Sequence, residues 1–257
     1  LSTTVYTMLG GVQAVTWTDV KQMFIIFAGL AMCVVVILTS LPGSVTLGDA
    51  LHLAGAAGKL QTLDFSFDLT ERYTVWSGFF AALFLFLSYF GCDQSQVQRY
   101  LTARSVDEGR TSLMMSAFLK IPLQFLILLI GVLVFVFYQF RPAPLVFNTV
   151  EAEQAASAQP AVYQVLESEI SALHEQRQDA AMQFLAARET GDAGSERVAY
   201  MATNEAYLDK RVEATEFIRE ANDNPSFNDV NYVFPTFVLN NMPIGLVGLI
   251  IAAILAA

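Results

Sequence analysis

The sequence predicts an all-α, polytopic membrane protein, and three observations carry that prediction. The chain of 257 residues is 54% hydrophobic and only 15% charged, whereas soluble domains carry about a quarter charged residues. Its apolar residues gather into runs of bilayer-crossing length. Its net charge of −10 is concentrated in one block, because residues 141–234 hold 16 Asp or Glu against 7 Lys or Arg. An acidic, water-facing insertion therefore sits within an otherwise near-neutral apolar chain.

The elements follow in order. The first span is read at about 20–42, from Val20 to Leu41, interrupted only by Lys21 and Gln22 and stopped by Pro42-Gly43. Such a run matches the roughly 20 residues a membrane helix needs. Residues 43–72 form a connection with Asp49, Asp64, Asp68, Glu71 and Arg72 between apolar segments, read as short interfacial helices. A second span runs at about 73–98 and a third at about 112–140. Residues 235–257 begin a further span. Tyr73, Trp76, Tyr138 and Phe140 stand at span ends, where aromatic rings favour the membrane interface.

The short loop of residues 99–110 carries Arg99, Arg104 and Arg110. The positive-inside rule places such a loop in the cytoplasm. Crossing outward from it puts 141–234 outside the cell and residues 1–19 inside. Within the insertion, Val162, Leu166, Ile170 and Leu173, with Met182 and Leu185 beyond, recur at helical spacing. Residues Thr190 to Ser195 break the pattern, and a second helical stretch holds Val198, Met201, Leu208, Val212 and Phe217. An antiparallel helical hairpin is expected, ended by Asn222-Asp223-Asn224-Pro225. It reads either as a solvated linker pair or as an interaction module. Exposed apolar positions outside the hairpin's own seam would favour the module, and none stands out in the sequence.

Catalytic signatures are missing: the chain has no zinc-ligand spacing, no phosphate-binding glycine loop and no dinucleotide fingerprint. Cys33 and Cys92 lie in apolar runs and read as small buried hydrophobes. No enzyme, cofactor, resident metal or nucleic-acid partner is expected. The chain starts at Leu1 and stops at Ala257 within an apolar run, which reads as an internal fragment.

The most informative stretch is Ser88-Tyr89-Phe90-Gly91-Cys92-Asp93-Gln94-Ser95-Gln96-Val97-Gln98-Arg99-Tyr100-Leu101. Polar groups are costly in lipid, so a polar patch closing an apolar run faces water, protein or a solute. Lys120 raises the same question. A helix rising 1.5 Å per residue carries it roughly 15 Å beyond Arg110. Burying a cation at that depth costs about 3 kcal/mol. Lys120 therefore either faces a water-filled path or snorkels to the interface. Asp19, at the mouth of the first span, reads on physical grounds as a helix N-terminal carboxylate.

Three stretches resemble the sodium:solute symporter family, in the right order. They are Tyr6 to Gln22, with its glycine pair and Ala-Val-x-Trp-Thr-Asp-x-x-Gln spacing, then Tyr89 to Arg104 with Ala117 to Lys120, then Met242 to Ala253. The resemblance implies a leucine-transporter-like core of two inverted five-helix repeats, of which this chain would hold the end of core helix four to the start of helix eight. It implies that Tyr89 closes over substrate and that Lys120 contacts a polar substrate. Phe86 falls in the same subsite, but sugar-transporting members carry asparagine there, which weakens a sugar as the cargo. Asp93 and Gln94 match the family's Asp/Asn-Gln pair. Asp93, Gln98 and Arg99 are read as a helix-end polar motif, and Gln94 also as a substrate contact. Asp19 matches a residue implicated in sodium release or in binding an additional sodium. Ala257 matches one whose backbone carbonyl binds sodium.

The implied function is symport of a small polar solute (sugar, sialic acid, carboxylate or similar), with sodium as the coupling ion and the lipid bilayer as surroundings. The rival readings are a symporter-like sensor domain of a signalling protein, and the hairpin interaction module.

Overall fold

The computed structural model describes residues 2–61, 64–67, 74–191 and 193–256, all helix, turn or irregular chain without a strand among them. The chain forms two compact units. The first is built from Leu1–Met23 and Gln61–Leu129, the second from Phe24–Leu60 and Ile130–Leu255. The divisions fall inside two long helices, α1 (Ser2–Ser40) and α5 (Val106–Phe140).

Both long helices are long and apolar enough to cross a membrane, α1 over Gln13–Ser40. The helical path of α1 is broken at Gly11, whose φ of 59° and ψ of −159° suit a residue without a Cβ. The helix ends where Pro42 cannot continue the ladder. A capping box of Thr46 and Asp49 then starts α2 (Leu47–Ala56), which buries Ala50, Leu53 and Ala54.

In the first unit, a second capping box, Thr74 with Ser77, opens α3 (Val75–Gly91). The span read as running to residue 98 is two helices in the structure. The Cys92 and Asp93 N–H groups both donate to the Ser88 carbonyl, at 2.9 and 3.1 Å, closing α3. The Asp93 carbonyl then accepts from Gln96 and Val97 to start α4 (Gln94–Leu101). Cys92, at this junction, is exposed, while Cys33 is buried, its thiol 3.8 Å from the Met242 sulfur.

In the second unit, α6 (Thr149–Ala158) is capped by the Asn148 side chain. α7 (Pro160–Thr190) has proline at its start and Gly191, φ 88°, at its end. α8 (Gly194–Ala221) packs along α7. The stretch from Pro235 holds α9 (Val230–Asn241) and α10 (Ile244–Ala256), parted at Met242-Pro243.

The helix pair does not use all the seam residues its sequence spacing suggests. α8 buries Tyr200, Asn204, Tyr207, Ala214 and Ile218, leaving Val198, Met201, Leu208 and Val212 exposed. Tyr207 and Ala214 pack with Leu166 and Ile170 of α7, and Tyr200 stacks on Phe184 at 5.9 Å. Aromatic rings bury more apolar area per residue than Val or Met, and Ala214 lets the helices approach closely.

Polar groups also enter this core. The Arg177 guanidinium is buried, donates to the Tyr138 carbonyl at 2.5 Å and meets His174 Nδ1 at 3.1 Å. Gln139 donates to Asn204 at 3.4 Å. Gln139 Oε1, His174 Nε2, Arg177 Nε and Tyr200 Oη have no protein hydrogen-bond partner among the described residues. Burial, with the Arg177 charge adding to it, pulls the His174 pKa down to about 4. The insertion is tied at its root by Asp229, which accepts from the Phe147 and Asn148 N–H groups at 2.7 and 3.3 Å and from Arg211 at 3.3 Å. Burial raises its pKa against the pull of those partners.

Candidate functional site

The candidate site lies in the first unit, where α3 ends and α5 passes. The Lys120 ammonium stands 5.8 Å from the centre of the Tyr89 ring and 5.3 Å from that of Phe90. The rings meet edge to face at 5.1 Å. A cation within about 6 Å of an aromatic face is attracted by the ring quadrupole, by about 0.5–1 kcal/mol where exposed. This contact brings together two residues 31 positions apart in sequence.

Local sequence explains how each part is held. Tyr89 and Phe90 occupy the last turn of α3, and Phe86 lies one turn earlier, its ring 5.9 Å from that of Phe90. The Tyr100 hydroxyl of α4 donates to the Phe90 carbonyl, fastening the helix end beneath the rings. Pro122, two residues after Lys120, has no N–H, so the Phe118 carbonyl one turn earlier loses its helical donor. The site thus combines an ammonium, a phenol and two phenyl faces. Such groups contact a solute by charge, hydrogen bonding and ring faces, and no nucleophile-base pair stands among them.

The remaining predicted positions are less gathered. Gln94 and Gln98 are exposed on α4, Asp93 is exposed at its start, and Arg99 lies on the same helix. Asp19 is half-buried on α1, about two turns past the break at Gly11, so it stands inside the helix rather than at its N-terminus. Ala257 lies outside the described residues. Sequence reasoning missed Phe90 as the second ring under Lys120. Its signal was adjacency to Tyr89 at a helix end, where both neighbours can flank one long side chain.

Comparison with known proteins identifies the family. The model of the sodium:solute symporter family matches residues 1–170. The chain is 33% identical over 168 residues to the sodium-dependent multivitamin transporter of Oryctolagus cuniculus, covering 64% of this chain and 24% of that protein. It is 31% identical over 137 residues to the human sodium/iodide cotransporter, 52% of this chain and 20% of the relative. It is 36% identical over 111 residues to the human sodium-coupled monocarboxylate transporter 1, 43% and 18% respectively. The chain thus spans a quarter or less of the length of these relatives, which are transporters and not enzymes. No solved structure matches it. With a family match over residues 1–170 and apolar helices of membrane-spanning length, the chain belongs to the sodium:solute symporter family.

Proposed function

We propose that this chain is part of a sodium-coupled symporter for a small solute, with a small anion such as a carboxylate as the favoured cargo. The observation that carries the reading is the Lys120 ammonium set over Tyr89 and Phe90, in a chain whose relatives are named for iodide and monocarboxylates. A lysine is a compact cation with three rotatable donors, suited to an anion whose shape is not fixed. The rings beside it suit the apolar body of a carboxylate and limit how much water the pair retains. A sugar or sialic acid finds less support, since Phe86 supplies no hydrogen bond.

In this reading sodium binds the outward-open state more tightly, the solute follows, and rocking of the bundle releases both inside. Each inward charge gains about 2.3 kcal/mol per 100 mV of membrane potential, plus its concentration term. Asp19 serves sodium binding or release, and the backbone at Ala257 supplies a sodium ligand. The protein sits in the cell membrane, that of a bacterium in our reading, with residues 141–234 on the extracytoplasmic side.

The test is uptake by the full-length protein, with and without sodium, against iodide, short monocarboxylates, sugars and sialic acid. Sodium-dependent uptake of an anion is expected. Lys120→Ala should raise its apparent KM about tenfold or abolish transport at normal membrane expression. Sodium-independent uptake sinks the symport reading, and an unchanged uptake curve for Lys120→Ala removes the lysine from the site.

A further inference from the structure

The polar core of the second unit carries hydrogen-bonding capacity that the protein itself does not use. Gln139 and Tyr200 are 0% exposed and Arg177 is 3% exposed. Yet Gln139 Oε1, Arg177 Nε and Tyr200 Oη, like His174 Nε2, have no protein partner among the described residues. Leaving a buried polar atom unpaired is costly, and native cores do it rarely. Several such atoms in one cluster call for a guest that pairs with them.

Three of the four belong to one knot that ties the end of α5 to α7 and α8. Arg177 of α7 reaches the carbonyl of Tyr138, the residue before Gln139. Gln139 Nε2 donates to Asn204 at 3.4 Å, and Asn204 lies one turn past Tyr200 on α8. The Arg177 charge also acts on the Tyr200 phenol, opposing the upward push of burial on its pKa. His174 Nε2 has a different outlet, because that ring also lines a cavity of about 180 Å³ beside Ser171 and Glu167.

The chemistry of the three atoms selects the guest. Arg177 Nε–H only donates, Gln139 Oε1 only accepts, and a phenol hydroxyl does either. The guest must therefore accept from the guanidinium and donate to the amide at once. A halide cannot donate, and a metal cation is repelled by Arg177. Water does both. A neutral guest also suffices for charge, since the Tyr207 ring, 3.6 Å away, and the Tyr138 carbonyl already draw the guanidinium.

We infer that a buried water molecule binds between Gln139, Arg177 and Tyr200. It accepts from Arg177 Nε–H and from the Tyr200 hydroxyl, and it donates to Gln139 Oε1. Three polar partners are what internal waters in folded proteins typically hold. The water links the last turn of α5 to both long helices of the insertion, so the packing of 141–234 on that helix end depends on it.

The test uses the full-length protein in lipid nanodiscs. A cryo-EM map fine enough to show ordered water should place one peak within about 3.2 Å of all three atoms, in chloride and in chloride-free buffer alike. Tyr200→Phe adds a test of sign. A hydroxyl bonded to water stabilises the fold, so its loss should speed protease cutting within residues 141–234 about fivefold. An unpaired hydroxyl costs stability, so its loss would slow cutting. Slower or unchanged cutting in Tyr200→Phe overturns the proposal. So does a peak that vanishes with chloride, which would be an anion beside a Gln139 amide turned the other way round. A map in which protein atoms meet all three groups overturns it too, and the wild-type map decides the matter even where the variant misfolds.

Discussion

The Arg177 guanidinium lies 3.6 Å from the centre of the Tyr207 ring, joining α7 to α8 inside the second unit. No carboxylate among the described residues lies within ion-pair distance of it. The charge is held instead by the ring face and by the Tyr138 carbonyl at the C-terminal end of α5. Helix C-termini carry partial negative charge and unpaired carbonyls, so a cation arriving from another element serves as a cap.

Arg177→Ala removes both contacts and leaves that carbonyl short of a donor in a buried place. A loss of about 2–4 kcal/mol is expected. Arg177→Lys should recover only part, because an ammonium cannot lie flat on the ring while reaching the carbonyl. Protease cutting within residues 141–234, followed against urea, reads the effect. Wild-type resistance in Arg177→Ala would show the pair to be incidental.

His174 supplies a pH prediction of definite sign. Burial beside Arg177 lowers its pKa to about 4, against 6.5 for the free side chain. The unfolded chain therefore binds the proton more readily, so the neutral imidazole favours folding fully above about pH 6.5. That contribution is lost as pH falls from about 6.5 toward 4. Asp229, with its raised pKa, works in the opposite sense at lower pH, so comparison with a variant isolates the histidine. The melting temperature of the wild type should fall more steeply over this window than that of His174→Gln. Parallel curves would mean that His174 is solvated.

The orientation is tested at Ser195, an exposed residue near the turn between α7 and α8. Ser195→Cys, in a full-length protein whose other accessible cysteines are replaced, should label with membrane-impermeant maleimide in intact cells. Labelling only after permeabilisation would place residues 141–234 in the cytoplasm and reverse the proposed topology.

Asp19→Asn keeps the shape and removes the charge. Since Asp19 lies within α1 rather than at its start, loss of a helix cap does not account for a strong effect there. A changed sodium half-saturation or Hill coefficient is expected, with the ranking of competing solutes preserved. Uptake assays at graded sodium decide it. Altered solute ranking with constant sodium dependence would move Asp19 from the ion path to the solute path.

Much of the helical layout was legible because lipid-length apolar runs and their punctuation are local properties. Pro42-Gly43 marks the end of α1, and the Thr190–Ser195 turn separates α7 from α8. The junction at Cys92-Asp93 was less legible, since the hydrogen bonds that close α3 on Ser88 compete with a continuous helix by small margins. The motif that suggested the family also carried Tyr89 and Lys120, but it said nothing of Phe90.

The sequence by itself determined an all-helical chain, the family and the acidic block. These rest on composition, period and short motifs, which do not depend on neighbours distant in the chain. Only the tertiary structure decided that the Lys120 ammonium stands over the Tyr89 and Phe90 rings, and which side of α8 is buried. Two sides of that helix carry apolar residues, and periodicity cannot choose between them. The choice fell to Tyr200 and Tyr207 because Phe184 and Arg177, from α7, offer their rings a stack and a cation, and that left Val198, Met201, Leu208 and Val212 facing outward.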